Sequence, residues 1–222
     1  MSTRRTTTGA PSRRRRAWPQ LLAGVALILA AVGVMTLVLT PHGTAEGTVD
    51  LRGNPVSTDD ATLSPEAVAA AAPEPVAGVR FAVPSVGLDV AMEELTATAA
   101  DIEPPGFTSV YHLRNHGTAL DKPEAGTLFL LTHSIRGGGL APGNALIDVK
   151  NQRSAVSIGA TISVGADTYR VTGTEVISKP DLAHRGDVWA DTPGRLVLIT
   201  CLQNPQGTPS QNNLVLTAQL ER

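Results

Sequence analysis

Among 222 residues there is one cysteine, Cys201, so no disulfide can form within the chain. No internal repeat is visible, which excludes a repeat array. The formal net charge is only −2, which argues neither for nor against a polyanionic partner; no nucleic-acid partner is expected. His112 and His116 flank Arg114 in Tyr111-His112-Leu113-Arg114-Asn115-His116, but no acid or thiol stands beside them in sequence. A zinc site is therefore not expected there, nor is any other metal or cofactor. Asp181, Asp187 and Asp191 are loop acids of the kind that is usually only solvated.

The first 16 residues carry no acid and six arginines, Arg4, Arg5 and Arg13 to Arg16. Residues 21–40 follow without a charge, and 20 residues at about 1.5 Å rise cross a hydrocarbon core of about 30 Å. The apolar core of a cleavable signal peptide is shorter, about 7–15 residues. Residues 1–20 are thus expected to be a cytoplasmic Arg-rich tail and 21–40 a transmembrane signal anchor. The small residues Thr40, Thr44 and Ala45 keep cleavage open. Arginine before the span holds the N-terminus inside and sends the rest across the cytoplasmic membrane in a single pass. Residues 41–77 are mostly Ala, Pro, Gly, Thr and acids, with little large apolar surface, and read as a flexible extracytoplasmic linker. Residues 78–222 remain as one domain of ordinary size, able to bury a core without disulfides.

Within that domain Val79–Val83 and Val86–Met92 alternate as half-exposed strands do. Leu128-Phe129-Leu130-Leu131-Thr132 and Leu196-Val197-Leu198-Ile199-Thr200 are more continuously apolar, which predicts central strands. Thr161–Val164 and Thr168–Val176 read as a hairpin around Gly165-Ala166-Asp167, and Leu214–Leu220 alternates to the end. Single helical turns are expected at 143–148 and 180–183. About eight strands with short turns make the fold class mainly β, a barrel or sandwich.

The two central runs end in His133 and Cys201. A thiol with a pKa near 8.5 is mostly protonated at neutral pH, and a neighbouring imidazole can lower that value or accept the proton. Two strands that each deliver one of these groups at the end supply the minimum for a cysteine nucleophile. His184 lies in a polar loop with Arg185 and Asp187. Only His133 ends an apolar strand, and it opens into Gly137-Gly138-Gly139. The pair also requires a group that stabilises an oxyanion: backbone N–H groups, an arginine or an amide.

The residues now assembled resemble the sortases, membrane-anchored transpeptidases of Gram-positive bacteria. Leu196-Val197-Leu198-Ile199-Thr200-Cys201 resembles their Thr-Leu-x-Thr-Cys motif, and Thr132-His133-Ser134 their histidine segment. Val79 to Leu88, with Pro84 and Gly87, is similar to their first strand pair. Ala125-Gly126 and Asn213 to Ala218 fit as well. The likeness is greatest to actinobacterial classes E and F, class F in particular, and covers about residues 78–222 and the anchor. It implies an eight-stranded sortase-type β-barrel with short helical turns. It also implies that Cys201 attacks the threonine carbonyl of a Leu-Pro-x-Thr-Gly-like sorting signal to give a thioacyl enzyme. By the same resemblance, His133 would protonate the leaving amine and then deprotonate an acceptor amine on a cell-wall precursor or a pilin lysine. Thr132 and Thr200, the motif residues preceding each, are the expected substrate-binding positions.

The family's third residue is an arginine on the last strand, and no arginine lies between Cys201 and Arg222. Ser210-Gln211-Asn212-Asn213 stands there instead. Gln211 and Asn213, which share a strand face, are candidate oxyanion stabilisers, and Arg136 or Arg195 reaching in is a second solution. A third is a catalytically impaired barrel that binds sorting signals or wall fragments without turnover.

Overall fold

The structure, a computed structural model, describes residues 49–56, 64–97 and 103–221. The expected tail, the anchor and the first part of the linker lie outside the described residues. Among the described residues no helix is long and apolar enough to cross a membrane.

Eight strands close into a barrel in the order β1-β2-β3-β4-β9-β10-β8-β7. They are β1 (Glu74–Val83), β2 (Leu88–Leu95), β3 (Val110–Gly117), β4 (Thr127–Thr132), β7 (Thr161–Val164), β8 (Asp167–Ser178), β9 (Arg195–Leu202) and β10 (Asn212–Leu220). The short strands β5 (Ile147–Asp148) and β6 (Arg153–Ser154) pair only with each other. Four short helices complete the described secondary structure apart from one 3-10 turn: α1 (Pro65–Ala71), α2 (Pro142–Leu146), α3 (Lys179–Leu182) and α4 (Gly186–Trp189). The expected eight-stranded barrel with helical turns near 143–148 and 180–183 is therefore present.

Alternation assigns the two faces. Leu128, Leu130, Leu196, Leu198, Leu214 and Leu216 fill the barrel interior. Phe129, Leu131, Val197, Ile199 and Val215 point outward and are covered by Leu182 of α3 and Val188 of α4. All six residues of β4 are buried, because it is packed on both faces, which is why its sequence is apolar throughout rather than alternating. The strand β3 escapes a pattern reading. Val110 to Leu113 are all buried, Asn115 to Gly117 are exposed, and its register against β4 shifts between His112 and Gly117. His112 is buried with Nδ1 on Glu94 at 2.9 Å and Nε2 on the Thr118 carbonyl at 2.9 Å, a structural clasp rather than a ligand set.

Regular structure reaches into the stretch expected to be a linker. Ser64 caps α1 by accepting from the Ala67 N–H, and β1 starts at Glu74. Asp50, 2% exposed, accepts from the N–H groups of Arg52, Asn54 and Leu140, while the Leu51 N–H donates to the Leu140 carbonyl. A turn at 50–54 is thereby tied to the loop that follows β4. The barrel closes where β1 meets β7, through the pairs Phe81↔Val164 and Ala82↔Ser163, whereas β8 and β10 pair over the whole of β10.

Candidate active site

Strand β4 runs parallel to β9 in unbroken register from Thr127↔Arg195 to Thr132↔Thr200. His133 and Cys201 are the next residues of each strand, so they occupy adjacent strand ends about 4.8 Å apart, the spacing of neighbouring strands. On the other side, Asn213 of β10 is the register partner of Cys201. Cross-strand partners share a face, with Cβ atoms about 4.5–5.5 Å apart. His133, Cys201 and Asn213 thus form a row across three strands.

That row lies on the outer face. Ile199, two residues before Cys201, and its partner Val215, two residues after Asn213, are buried under α3 and α4. Cys201 is the next outward residue of β9 and is half-buried, so the thiol emerges where the helical cover stops. Asn213 is 8% exposed, so it lies in a largely water-excluded place.

The backbone around the pair is tightly held. The Ser134 hydroxyl donates to the Cys201 carbonyl at 2.6 Å, which carries the link between the two strands one residue beyond His133. Gln203, 8% exposed, donates from Nε2 to both the carbonyl and the hydroxyl of Ser134 at 2.8 Å. The Gly143 N–H donates to the His133 carbonyl at 2.8 Å. Asn144 secures the Gly-rich loop: its Oδ1 accepts from the N–H groups of Ile135 and Ala141, and its Nδ2 donates to the Ile135 carbonyl. The histidine ring is held from the other side, by the Pro104 carbonyl 2.7 Å from Nε2 and by Phe107, whose ring centroid lies 4.5 Å away.

Other expected positions separate. Thr132 and Thr200 are 4% and 3% exposed and have the parity of Leu130 and Leu198, so they face the interior, away from the thiol. The Thr132 hydroxyl donates to the Ser109 carbonyl at 3.0 Å, and the Thr200 hydroxyl has no hydrogen-bond partner among the described residues. Both hydroxyls are thus buried in the barrel interior. Gln211 is exposed, precedes β10 and donates from Nε2 to the Pro209 carbonyl at 3.4 Å. Of the two candidate amides only Asn213 is in register with Cys201. Arg195 stands at the far end of β9, six residues and roughly 20 Å from Cys201. Its guanidinium donates to the carbonyls of Asp187, Val188 and Ala190 and to the Thr127 hydroxyl, so it holds the α4 segment and does not reach the thiol. Arg136 lies half-buried in the loop after β4, three residues from His133.

Among the described residues no group of three or more His, Cys, Asp or Glu side chains is placed to hold a metal ion. Asp187 lies exposed beside Arg185, whose guanidinium also meets Glu175 at 2.6 and 2.9 Å. Hydrogen bonds from Arg185 hold the Asp187 carboxyl down to about 2.

Sequence reasoning missed Pro104, Phe107, Ser134 and Gln203 as parts of this site. Ser134 and Gln203 are detectable in principle, since they lie one residue beyond His133 and two beyond Cys201. Pro104 acts through a backbone carbonyl, which no side-chain pattern announces.

No protein-family model and no curated protein matches the chain. Solved structures similar to it are sortases. Sortase A of Listeria monocytogenes is 23% identical, with 65% of this chain and 87% of that chain covered and a TM-score of 0.46. Sortase C-1 of Actinomyces oris is 20% identical, with 65% and 73% covered and a TM-score of 0.43. A lid mutant of Corynebacterium diphtheriae sortase A is 14% identical, with 67% and 72% covered and a TM-score of 0.44.

Proposed function

We propose that this protein is a cysteine transpeptidase of the sortase type, akin to classes E and F, which cuts a Leu-Pro-x-Thr-Gly-like sorting signal and passes the acyl group to an amine. The observation that carries the reading is the row His133–Cys201–Asn213 across β4, β9 and β10, emerging at the edge of the covered outer face. Cys201 Sγ gives its proton to His133 and attacks the threonine carbonyl carbon. As the tetrahedral intermediate collapses, the C–N bond breaks, the glycine amine leaves with the proton from His133, and a thioester remains on Cys201. An acceptor amine, on a cell-wall precursor or a pilin lysine, then loses a proton to His133 and attacks the thioester, which frees the thiol. The Asn213 amide donates to the oxyanion. A neutral donor at 8% exposure is stronger than the same donor in water, but it lacks the charge of a guanidinium. In this reading the protein is held at the outer face of the cytoplasmic membrane through residues 21–40, and surface proteins bearing the signal are its substrates.

The test is to incubate the full chain in detergent micelles with Leu-Pro-x-Thr-Gly peptides and hydroxylamine. A thioester adduct on Cys201 and a peptide hydroxamate are expected. Both should be absent in Cys201→Ala, and no processing should occur in His133→Ala. Peptide binding with no adduct anywhere from about pH 6 to 9, the range spanning a shifted thiol pKa, would sink the proposal in favour of a binding barrel.

A further inference from the structure

The acyl transfer as written makes no use of residues 103–109, yet this segment between β2 and β3 closes on the histidine. The Pro104 carbonyl oxygen lies 2.7 Å from His133 Nε2. The Phe107 ring, 8% exposed, packs at 4.5 Å and 30° to the imidazole. The segment is fastened just beyond these contacts. The Ser109 carbonyl accepts from Thr132 Oγ1 at 3.0 Å, one residue before His133, and the Ser109 hydroxyl donates to Glu93 at 2.6 Å. Gly106 lies against Tyr111, so closely that a Cβ there would stand 2.6 Å from the phenol oxygen. Pro104 is itself followed by Pro105, and a residue before proline is confined to extended backbone, which restricts where its carbonyl can aim.

A carbonyl oxygen only accepts. The hydrogen bond to Pro104 therefore requires a proton on Nε2, and in the neutral ring this leaves the lone pair on Nδ1. We infer that residues 103–109 are a positioning strap that fixes the tautomer and ring plane of His133. The Pro104 carbonyl keeps the Nε2 proton in place throughout, and Phe107 holds the ring. Nδ1 is thus the atom that takes the proton from the Cys201 thiol and gives it to the leaving amine. The Nε2 proton is never transferred, so a single proton shuttles through Nδ1 in each half-reaction. A fixed outer partner on the second nitrogen is the same device that orients metal-bound and triad histidines. For the transfer steps the inference rests on the proposed function; for the tautomer it does not.

Two measurements on the full chain in micelles test it. Long-range 15N–1H spectra of 15N-histidine-labelled protein, assigned with His133→Gln, should show neutral His133 as the Nε2–H tautomer. An Nδ1–H tautomer would overturn the inference, whatever the protein catalyses. In the second, Pro105→Gly frees the Pro104 backbone and Phe107→Ala removes the packed ring. Each should lower kcat for peptide cleavage about 10- to 100-fold, the scale of a misplaced reacting group, with KM nearly unchanged. Phe107→Tyr, which keeps the ring, should recover most of the rate. Equal or faster turnover in both loosened variants would overturn the strap and make the segment an obstruction instead. Absence of any thioacyl adduct in the wild type would defeat the transpeptidase reading alone, since the tautomer is read without substrate.

Discussion

Gly143→Ala adds one carbon at the point where α2 meets the histidine strand. An ideal Cβ there would lie 2.1 Å from Thr200 Oγ1 and 2.6 Å from the His133 carbonyl oxygen. The two clashes differ in kind. The Thr200 hydroxyl has no hydrogen bond to lose among the described residues, so it can rotate away at small cost. The His133 carbonyl is backbone and accepts from the Gly143 N–H at 2.8 Å, so relief there requires α2 to back off and stretch that bond. Overpacking costs about 1–3 kcal/mol and a weakened hydrogen bond about 1 more, giving about 2–4 kcal/mol together. In a domain of this size that lowers Tm by roughly 5–15 °C. The retreat also shifts His133, and a displacement near 1 Å costs about 100-fold in rate. Thermal melting and the initial rate of thioacyl formation are the assays. Thr200→Ala in the same chain should recover part of the Tm and little of the rate, because it removes only the soft clash. If Gly143→Ala melts within about 1 °C of wild type and reacts at the wild-type rate, the account of this contact is wrong.

Asn213→Ala should slow thioacylation about 100- to 1,000-fold, as loss of an oxyanion donor does, while Gln211→Ala changes it less than about twofold; acyl-enzyme formation by mass spectrometry separates the two. Ser134→Ala removes the hydroxyl that joins the strand ends and should cost about 1–2 kcal/mol in denaturant unfolding. Arg195→Met strips hydrogen bonds from three carbonyls and should lower Tm while leaving the rate per folded molecule unaltered, since the guanidinium lies far from the thiol. The carboxyls of Glu175 and Asp187 are held below their ordinary values by hydrogen bonds from Arg185, that of Asp187 at about 2. A depressed carboxyl stabilises the fold above its unfolded value, near 4, and loses that contribution as pH falls toward about 2. Amide exchange over 179–189 should therefore accelerate in that acid window, and Asp187→Asn should flatten the dependence.

The sequence announces His133 and Cys201 because both end strands buried on two faces, and such strands are written in apolar residues without interruption. It does not announce that β4 and β9 are parallel neighbours, since that adjacency is decided by pairings far apart in the chain. The shared face of Gln211 and Asn213 follows from parity, yet only Asn213 is paired with Cys201, because β10 begins at Asn212 and leaves Gln211 in the preceding loop. Arg195 fails as a substitute cation for a reason already present in its strand: six residues of extended chain separate it from the thiol. The strand β3 was hidden by its own composition, with His112 buried against Glu94 where a pattern reading expects an apolar residue. Residues 65–77 carry a helix and the start of β1 despite their small side chains, since the Ser64 cap, the buried Ala71 and backbone pairing of β1 with β2 hold what composition alone does not promise.

The narrow contact between β1 and β7 has a mechanical meaning. Unrolled at that line, the barrel is an eight-stranded sheet with a latch of two residue pairs, and β4, β9 and β10 lie well inside it. The latch is the cheapest place for the sheet to breathe, as cooperative units open first where few contacts hold them. Parting there disturbs neither the β4–β9 nor the β9–β10 ladder. An opening at that line would therefore leave the row His133–Cys201–Asn213 in place.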